Sequence, residues 1–165
     1  ANAASGNNYG AEFDYSTKFF NKLIAHIDLG YLSTKVYPYE FKTDSVTTII
    51  LGNRALAHAP KYTFSIRLNY SLPFNLTAGL VLSGKDKFYY SDGHNQQSKA
   101  YQLLDLNLDY IVENWSLSLW GKNVLDNRYG VRGFYFGLEP PNYEEKLYIH
   151  WGDPLQYGLS VKYNF

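Results

Sequence analysis

Asp105 and Asp109 are the nearest approach in this chain to an acid–base pair. In extended backbone, at ~3.3 Å per residue, four residues separate them by ~13 Å. That is beyond the ~9.5 Å upper limit for carboxylates working together on one bond, so they read as polar groups sharing one face of a strand. The four histidines, His26, His58, His94 and His150, are dispersed, with no two at ligand spacing. A metal site would need convergence in space, and none is expected. Cysteine is absent, which removes thiolate ligands, thiol nucleophiles and disulfides. The chain has no phosphate-cradling glycine loop, no Gly-x-Ser-x-Gly elbow and no His-Glu-x-x-His pair. No catalytic residue is expected, and no cofactor.

Binding chemistry is better represented. Tyr37, Tyr39, Phe41, Arg54, Phe88, Tyr89, Tyr90, Arg128, Arg132, Phe134, Tyr135 and Phe136 fall in three polar stretches between strand-like segments. Rings supply stacking area and arginines supply charged hydrogen bonds, a combination suited to catecholate iron chelates, haem or sugars. Arg54, Tyr89, Tyr90, Arg128, Arg132 and Tyr135 are the candidate ligand-binding residues. The same rings would equally serve as interfacial aromatics at the bases of loops.

The elements that must carry these stretches repeat with period two. Tyr157, Leu159, Val161, Tyr163 and Phe165 alternate with Gly158, Ser160, Lys162 and Asn164, giving one apolar and one polar face up to the last residue. Similar alternation occurs in residues 8–17, 23–34, 62–71, 75–83, 104–112 and 115–123, with Trp120 the exception in the last. Each approaches the ~9–11 residues that a tilted strand needs to cross a bilayer. Short turns near residues 19–22, 72–74 and 113–114 alternate with long polar connections at 35–61, 84–100 and 124–154. That one-sided distribution suits a membrane barrel with short periplasmic turns and long outer loops. Lipocalin-like barrels and sandwiches share the alternation with the apolar face inward. Strand length, one-sided loops and aromatics at strand ends favour the inside-out arrangement.

Composition agrees. Aromatics are 18% of the chain, with 17 Tyr and 10 Phe, enough for girdles at two lipid–water boundaries. The mean hydropathy is negative, as expected when lipid-facing and lumen-facing residues alternate. A net charge of zero gives no electrostatic footprint for nucleic acid. Neither Met nor a basic-plus-apolar leader opens the chain, so a mature form or the tail of something longer is expected. Asn75 and Asn114 head Asn-x-Ser/Thr sequences in predicted periplasmic turns and are discounted as glycan sites.

Several motifs then fall in order on the predicted strands. They are Tyr101-Gln-Leu-Leu-Asp-Leu-Asn-Leu-Asp-Tyr110, Trp115-Ser-Leu-Ser-Leu-Trp-Gly-Lys-Asn-Val-Leu-Asp-Asn-Arg-Tyr129, and Gly152-Asp153-Pro154-Leu155 leading to Tyr163-Asn164-Phe165. Together they resemble the end of TonB-dependent receptors. Asn123-Val124-Leu125-Asp126-Asn127-Arg128-Tyr129 resembles that family's Asn-Leu-Phe-Asp-x-x-Tyr. Gly152-Asp153-Pro154-Leu155 stands where Gly-x-Pro-Arg is usual, without the Arg. Tyr9-Gly10-Ala11-Glu12-Phe13 and Ala59-Pro60 match weaker family features upstream.

The resemblance implies an all-β fold. It would be an antiparallel transmembrane β-barrel segment of about seven strands, the C-terminal part of a barrel of twenty-two strands around an N-terminal plug. Residues 1–165 would then be one portion of that barrel, without the plug and earlier strands. The implied function is TonB-energised uptake of a scarce nutrient, an iron–siderophore complex first, through the outer membrane of a Gram-negative bacterium. The implied partners are the bilayer, the TonB complex acting through the plug, the barrel-assembly machinery and a small-molecule chelate. Tyr157, Leu159, Val161, Tyr163 and Phe165 would be the assembly signal. Leu104, Leu106 and Leu108 would face lipid, with Asp105, Asn107 and Asp109 lining the lumen. A small passive barrel or porin and a soluble ligand-binding β-barrel are the alternatives.

Overall fold

The computed structural model describes residues 5–42 and 46–165; for Phe41 it describes backbone only. The described residues form eleven strands: β1 Gly6–Phe19, β2 Leu23–Val36, β3 Tyr39–Lys42, β4 Thr48–Leu51, β5 Tyr62–Ser71, β6 Leu76–Lys85, β7 Tyr101–Val112, β8 Trp115–Lys122, β9 Gly130–Phe136, β10 Lys146–Trp151 and β11 Gln156–Tyr163. Seven of them form one antiparallel sheet in the order β1-β2-β5-β6-β7-β8-β11. The other four form two hairpins, β3–β4 and β9–β10, inside the first and third long connections. The sheet is open, with β1 and β11 at its edges.

The strand-to-strand register keeps each face uniform across the whole sheet. Leu29 stands opposite Phe64, Ile27 opposite Ile66, Ala25 opposite Leu68 and Leu23 opposite Tyr70. Ile66 pairs with Leu82 and Leu68 with Leu80, Leu80 with Leu106 and Ala78 with Leu108. Leu108 pairs with Leu119, and Leu119 with Leu159. A slip of one residue anywhere would send a whole strand's apolar set to the wrong face. No second layer of protein covers this face among the described residues. Leu106, Leu108, Leu119, Leu159 and Val161 are between 39% and 66% exposed, and Ala25 is the one buried apolar residue of the sheet. A face this large and this apolar needs an apolar solvent.

The ends of the apolar band carry rings. Phe19, Tyr70, Trp115 and Tyr163 point outward near the short turns, and Tyr31, Tyr62 and Tyr157 near the long connections. Tyr62 and Tyr70 lie eight residues apart in β5, ~27 Å along the strand. At a tilt of ~35–45° that becomes ~20 Å across, near the height of a barrel's lipid-facing band. The terminal strand is extended by Asn164, whose N–H donates to the Asn114 carbonyl at 2.9 Å. There Trp115, Tyr163 and Phe165 form a chain of ring contacts at 4.8 and 5.1 Å.

The short connections are tight. The Lys22 N–H bonds the Phe19 carbonyl at 3.0 Å, with Phe20 and Asn21 both at positive φ. This is the turn geometry that matches strand twist in a hairpin.

Two features depart from the sequence reading. The long connections are more ordered than expected, and the first two start later: β2 runs to Val36, β6 to Lys85, and two of the connections fold as hairpins. Trp120, out of pattern as an aromatic, faces the lumen with the polar residues. Its Nε1–H donates to Ser160 Oγ at 3.0 Å, and its ring covers Gly158, where a Cβ would come 2.5 Å from Cζ2. The polar face therefore accommodates a large ring through a cross-strand glycine.

Leu106→Arg should cost ~2–4 kcal/mol of stability in lipid, as for a charge at mid-bilayer. Asn107→Arg, on the opposite face, should cost well under half of that. Chemical denaturation of the intact barrel in bilayers would measure both. Equal or reversed penalties would mean that the faces are inverted.

Candidate functional site

The three long connections gather at one end of the sheet, and the chain's most enclosed side chains lie there. Phe88 and Tyr90 are each 5% exposed and meet edge to face at 5.8 Å. Ser98 closes the loop around them, its N–H donating to the Phe88 carbonyl at 2.8 Å and its Oγ accepting from the Phe88 N–H at 3.0 Å. The β9–β10 hairpin folds over this core. Gly130 and Gly133 allow it, because a Cβ at either position would strike Tyr90.

Arg54 locks the first connection to the second. Its guanidinium donates to the Ser91 carbonyl at 2.8 Å, to Asn95 Oδ1 at 3.0 Å and to the carbonyls of Asp92 and His94. It also stacks over Tyr89, 4.5 Å from the ring centroid. With so many donors engaged, Arg54 and Tyr89 hold two loops together. His94 ties in the third connection by stacking on Tyr135 at 3.6 Å, with Nε2 3.4 Å from Glu145 and Nδ1 3.0 Å from Ser91 Oγ. The Tyr135 hydroxyl is buried without a hydrogen-bond partner among the described residues. Burial, with Glu145 adding to it, raises its pKa.

A second cluster stands beside this one, over the lumen-facing end of β7. Tyr129 packs on Tyr101 at 4.5 Å, and Arg128 lies 4.1 Å above the Trp151 ring. These residues, with Tyr90 and Lys99, line a hollow of about 280 Å³. Of the six candidate residues, Tyr90 and Arg128 thus meet at one hollow, while Arg54, Tyr89 and Tyr135 belong to the loop packing. Arg132 is exposed on the opposite face of the hairpin from Tyr135, paired in register with His150. Phe134 and Phe136 share its face, Phe134 stacking on Tyr148 and Phe136 meeting it edge to face. Tyr101, Tyr129, Lys99 and Trp151 are additions. Tyr101 and Trp151 sit at strand ends, and only the hairpin's fold brings Trp151 to the others.

Asn123 explains why the loop returns to the sheet where it does. It is 4% exposed and sits at positive φ, a conformation asparagine tolerates. Its Nδ2 donates to the carbonyls of Asn127 and Asp153, each at 3.0 Å, and its Oδ1 accepts from the Asn127 N–H at 3.0 Å. Its own N–H donates to Asp105 Oδ1 at 2.8 Å. Asp126 Oδ1 takes the Leu155 N–H at 3.0 Å, and Asn127 Nδ2 reaches the Gln102 carbonyl at 2.7 Å. The Asn-x-x-Asp-Asn sequence thus ties β7, β8 and the entry to β11 into one junction.

On the lumen wall, cross-strand pairing also assembles Asp14, His26 and Asp28 within 4.8 Å of one another. Sequence spacing could not show this, because histidine spacing misses ligands that come from a neighbouring strand. Tyr157, Leu159, Val161 and Tyr163 all lie exposed on the outward face of β11, and Phe165 is fully exposed just beyond its end.

Asn123→Ala would leave two carbonyls and one N–H without side-chain partners. At ~1 kcal/mol per hydrogen bond, it should cost ~2–4 kcal/mol; a shift in barrel melting below half of that would show the junction to be unimportant. Burial raises the Tyr90 and Tyr129 phenols above the ordinary value, with the Tyr101 charge adding to each. The protonated form is therefore favoured in the packed loops. Their contribution is complete below pH ~10 and falls as pH rises through the raised values. Ultraviolet titration should show late tyrosinates, one of which Tyr90→Phe abolishes; a single common titration would contradict this packing.

Known proteins place this architecture. Residues 1–124 match the family described as TonB dependent receptor-like, beta-barrel. The ferric yersiniabactin uptake receptor FyuA from Yersinia pestis superposes with a TM-score of 0.79 at 16% identity, over 99% of this chain and 24% of that one. The siderophore receptor PiuA from Acinetobacter baumannii gives 0.77 at 17% identity, over 96% of this chain and 22% of that one. The chain thus spans about a quarter of the length of these receptors, and residues 125–165, beyond the family match, share their fold. The chain belongs to the TonB-dependent receptor β-barrel family.

Proposed function

We propose that this chain is the C-terminal barrel portion of an outer-membrane receptor that imports an iron–siderophore complex with energy relayed by TonB. The observation that carries this reading is the aromatic and basic hollow at the long-loop end of the lumen. Tyr101, Tyr129 and Trp151 offer ring surface there at the edge of the Tyr90 core, and Arg128 and Lys99 offer positive charge. A ferric chelate with aromatic iron-binding groups and a net negative charge presents the matching chemistry. Arg132, exposed on the outer face of the hairpin, would contribute a further polar contact. Arg54 and Tyr89 would act by holding the loops in place.

The open edges β1 and β11 would pair with further strands of the same receptor, since lipid leaves no unpaired edge satisfied. The plug and the contact with TonB would come from that same longer protein. The outward row of β11, ending at Phe165, would be read by the barrel-assembly machinery. No bond of the ligand is made or broken in this account, so the protein would work as a transporter.

Arg128→Ala combined with Tyr129→Ala should weaken ferric-siderophore binding to the intact receptor at least tenfold, ~1.4 kcal/mol. The folded electrophoretic mobility should not change. Unaltered affinity would remove the hollow from the ligand path. Phe165→Ala should slow arrival of the receptor in the outer membrane, followed by pulse-chase; a wild-type rate would exclude the terminal ring from the assembly signal.

A further inference from the structure

Asp14 and Asp28 stand directly opposite each other where β1 pairs with β2, both on the polar face. Like charges so placed repel, which favours a cation between them beyond Arg67, 3.3 Å from the far oxygen of Asp28. His26 supplies the geometry for one. Its Nε2 lies 3.3 Å from Asp14 Oδ2 and 2.9 Å from Asp28 Oδ1. An ion ~2.1 Å from each of two donors holds them ~3.0 Å apart at a right angle and ~3.4 Å apart at a tetrahedral one. The two observed separations, 2.9 and 3.3 Å, lie close to that range.

The atoms turned away from this centre are held as well. His26 Nδ1 is hydrogen-bonded to Ser16 Oγ, and Asp28 Oδ2 accepts from Arg67 Nη2 at 3.3 Å. Ring and carboxylate are each fixed through the atom that would not touch an ion, the outer support found around protein metal ligands. Ser16 and Arg67 flank His26 in the register, one on each neighbouring strand. Beside the two carboxylates lies an open hollow of about 360 Å³, lined also by Glu12, Gly30, Thr63 and Ser65. Water ligands could occupy it.

We propose that Asp14, His26 and Asp28 bind one divalent transition ion on the lumen wall, joining β1 to β2. One imidazole and two carboxylates suit Zn²⁺ or Co²⁺ ahead of Mg²⁺ or Ca²⁺, which prefer all-oxygen sites. The charge of Arg67 weakens the attraction without blocking the open side. The site is separate from the loop hollow and stands whatever nutrient the receptor carries.

The test is titration of the intact receptor in detergent, stripped with chelator, using Co²⁺ by visible absorption and Zn²⁺ by calorimetry. Wild type should take one ion that perturbs the cobalt spectrum. His26→Ala and Asp14→Asn should each weaken binding at least tenfold, and Ser16→Ala, which removes only the support of Nδ1, about tenfold. Asp14→Asn keeps shape and relieves repulsion, so it carries the test if His26→Ala fails to fold. A wild-type protein without a bound ion, or binding unchanged in folded Asp14→Asn, would overturn the proposal. An imidazolium lying between the two carboxylates would then account for the cluster.

Discussion

Lipid offers a peptide group no hydrogen-bond partner and a charge no solvation, so a strand that crosses it must be paired and must keep one face apolar. In this chain, everything else follows from that constraint. The register aligns apolar side chains from β1 to β11, and the same register places every lumen-facing polar residue. Because the two faces are coupled through strict alternation, the lumen chemistry is fixed by the residues that satisfy the bilayer. The opposed Asp14 and Asp28 illustrate this: Phe13 and Tyr15 set the phase of β1, while Ile27 and Leu29 set that of β2. The carboxylates are brought face to face by their neighbours' need for lipid.

The loops obey a different economy. Within the sheet, Ala25 is the one apolar residue that is buried, whereas the loops bury Phe88 and Tyr90. The long connections therefore have a small core of their own, organised around Tyr90 and fastened by Arg54. That core fixes the hairpin β9–β10, and the hairpin in turn brings Trp151 over Arg128. The Asn123 junction anchors the whole assembly to the strands. A rigid scaffold carrying a locally packed loop cluster is how specificity is commonly built on a barrel.

The strands were legible because period two is a local signal and their outward rows are nearly unbroken. Their ends were less so. β1 continues through Gly6 and Asn7, and β6 through Gly84 and Lys85, where pairing with neighbours extends the strand beyond its apolar run. The four-residue strands β3 and β4 were too short to stand out. Trp120 broke the pattern because its place depends on Gly158, thirty-eight residues away. The sequence Asn123 to Tyr129 was recognisable as a family feature, but its hydrogen bonds reach Asp105, Gln102 and Asp153, which no spacing rule connects. Arg54 and Tyr89, two of the expected ligand residues, turned out to be engaged with each other and with backbone carbonyls, partners invisible before the loops are folded.

The central claim is that alternate residues of one strand face lipid and lumen. Since this segment has no native cysteine, single cysteines at positions 104 to 109 in an otherwise cysteine-free receptor would test it directly. In bilayers, replacements of Leu104, Leu106 and Leu108 should resist a charged maleimide, because lipid neither admits the reagent nor solvates the reactive thiolate. Replacements of Asp105, Asn107 and Asp109 should react with it. Reactivity that fails to alternate, or that alternates in the opposite phase, would contradict the account.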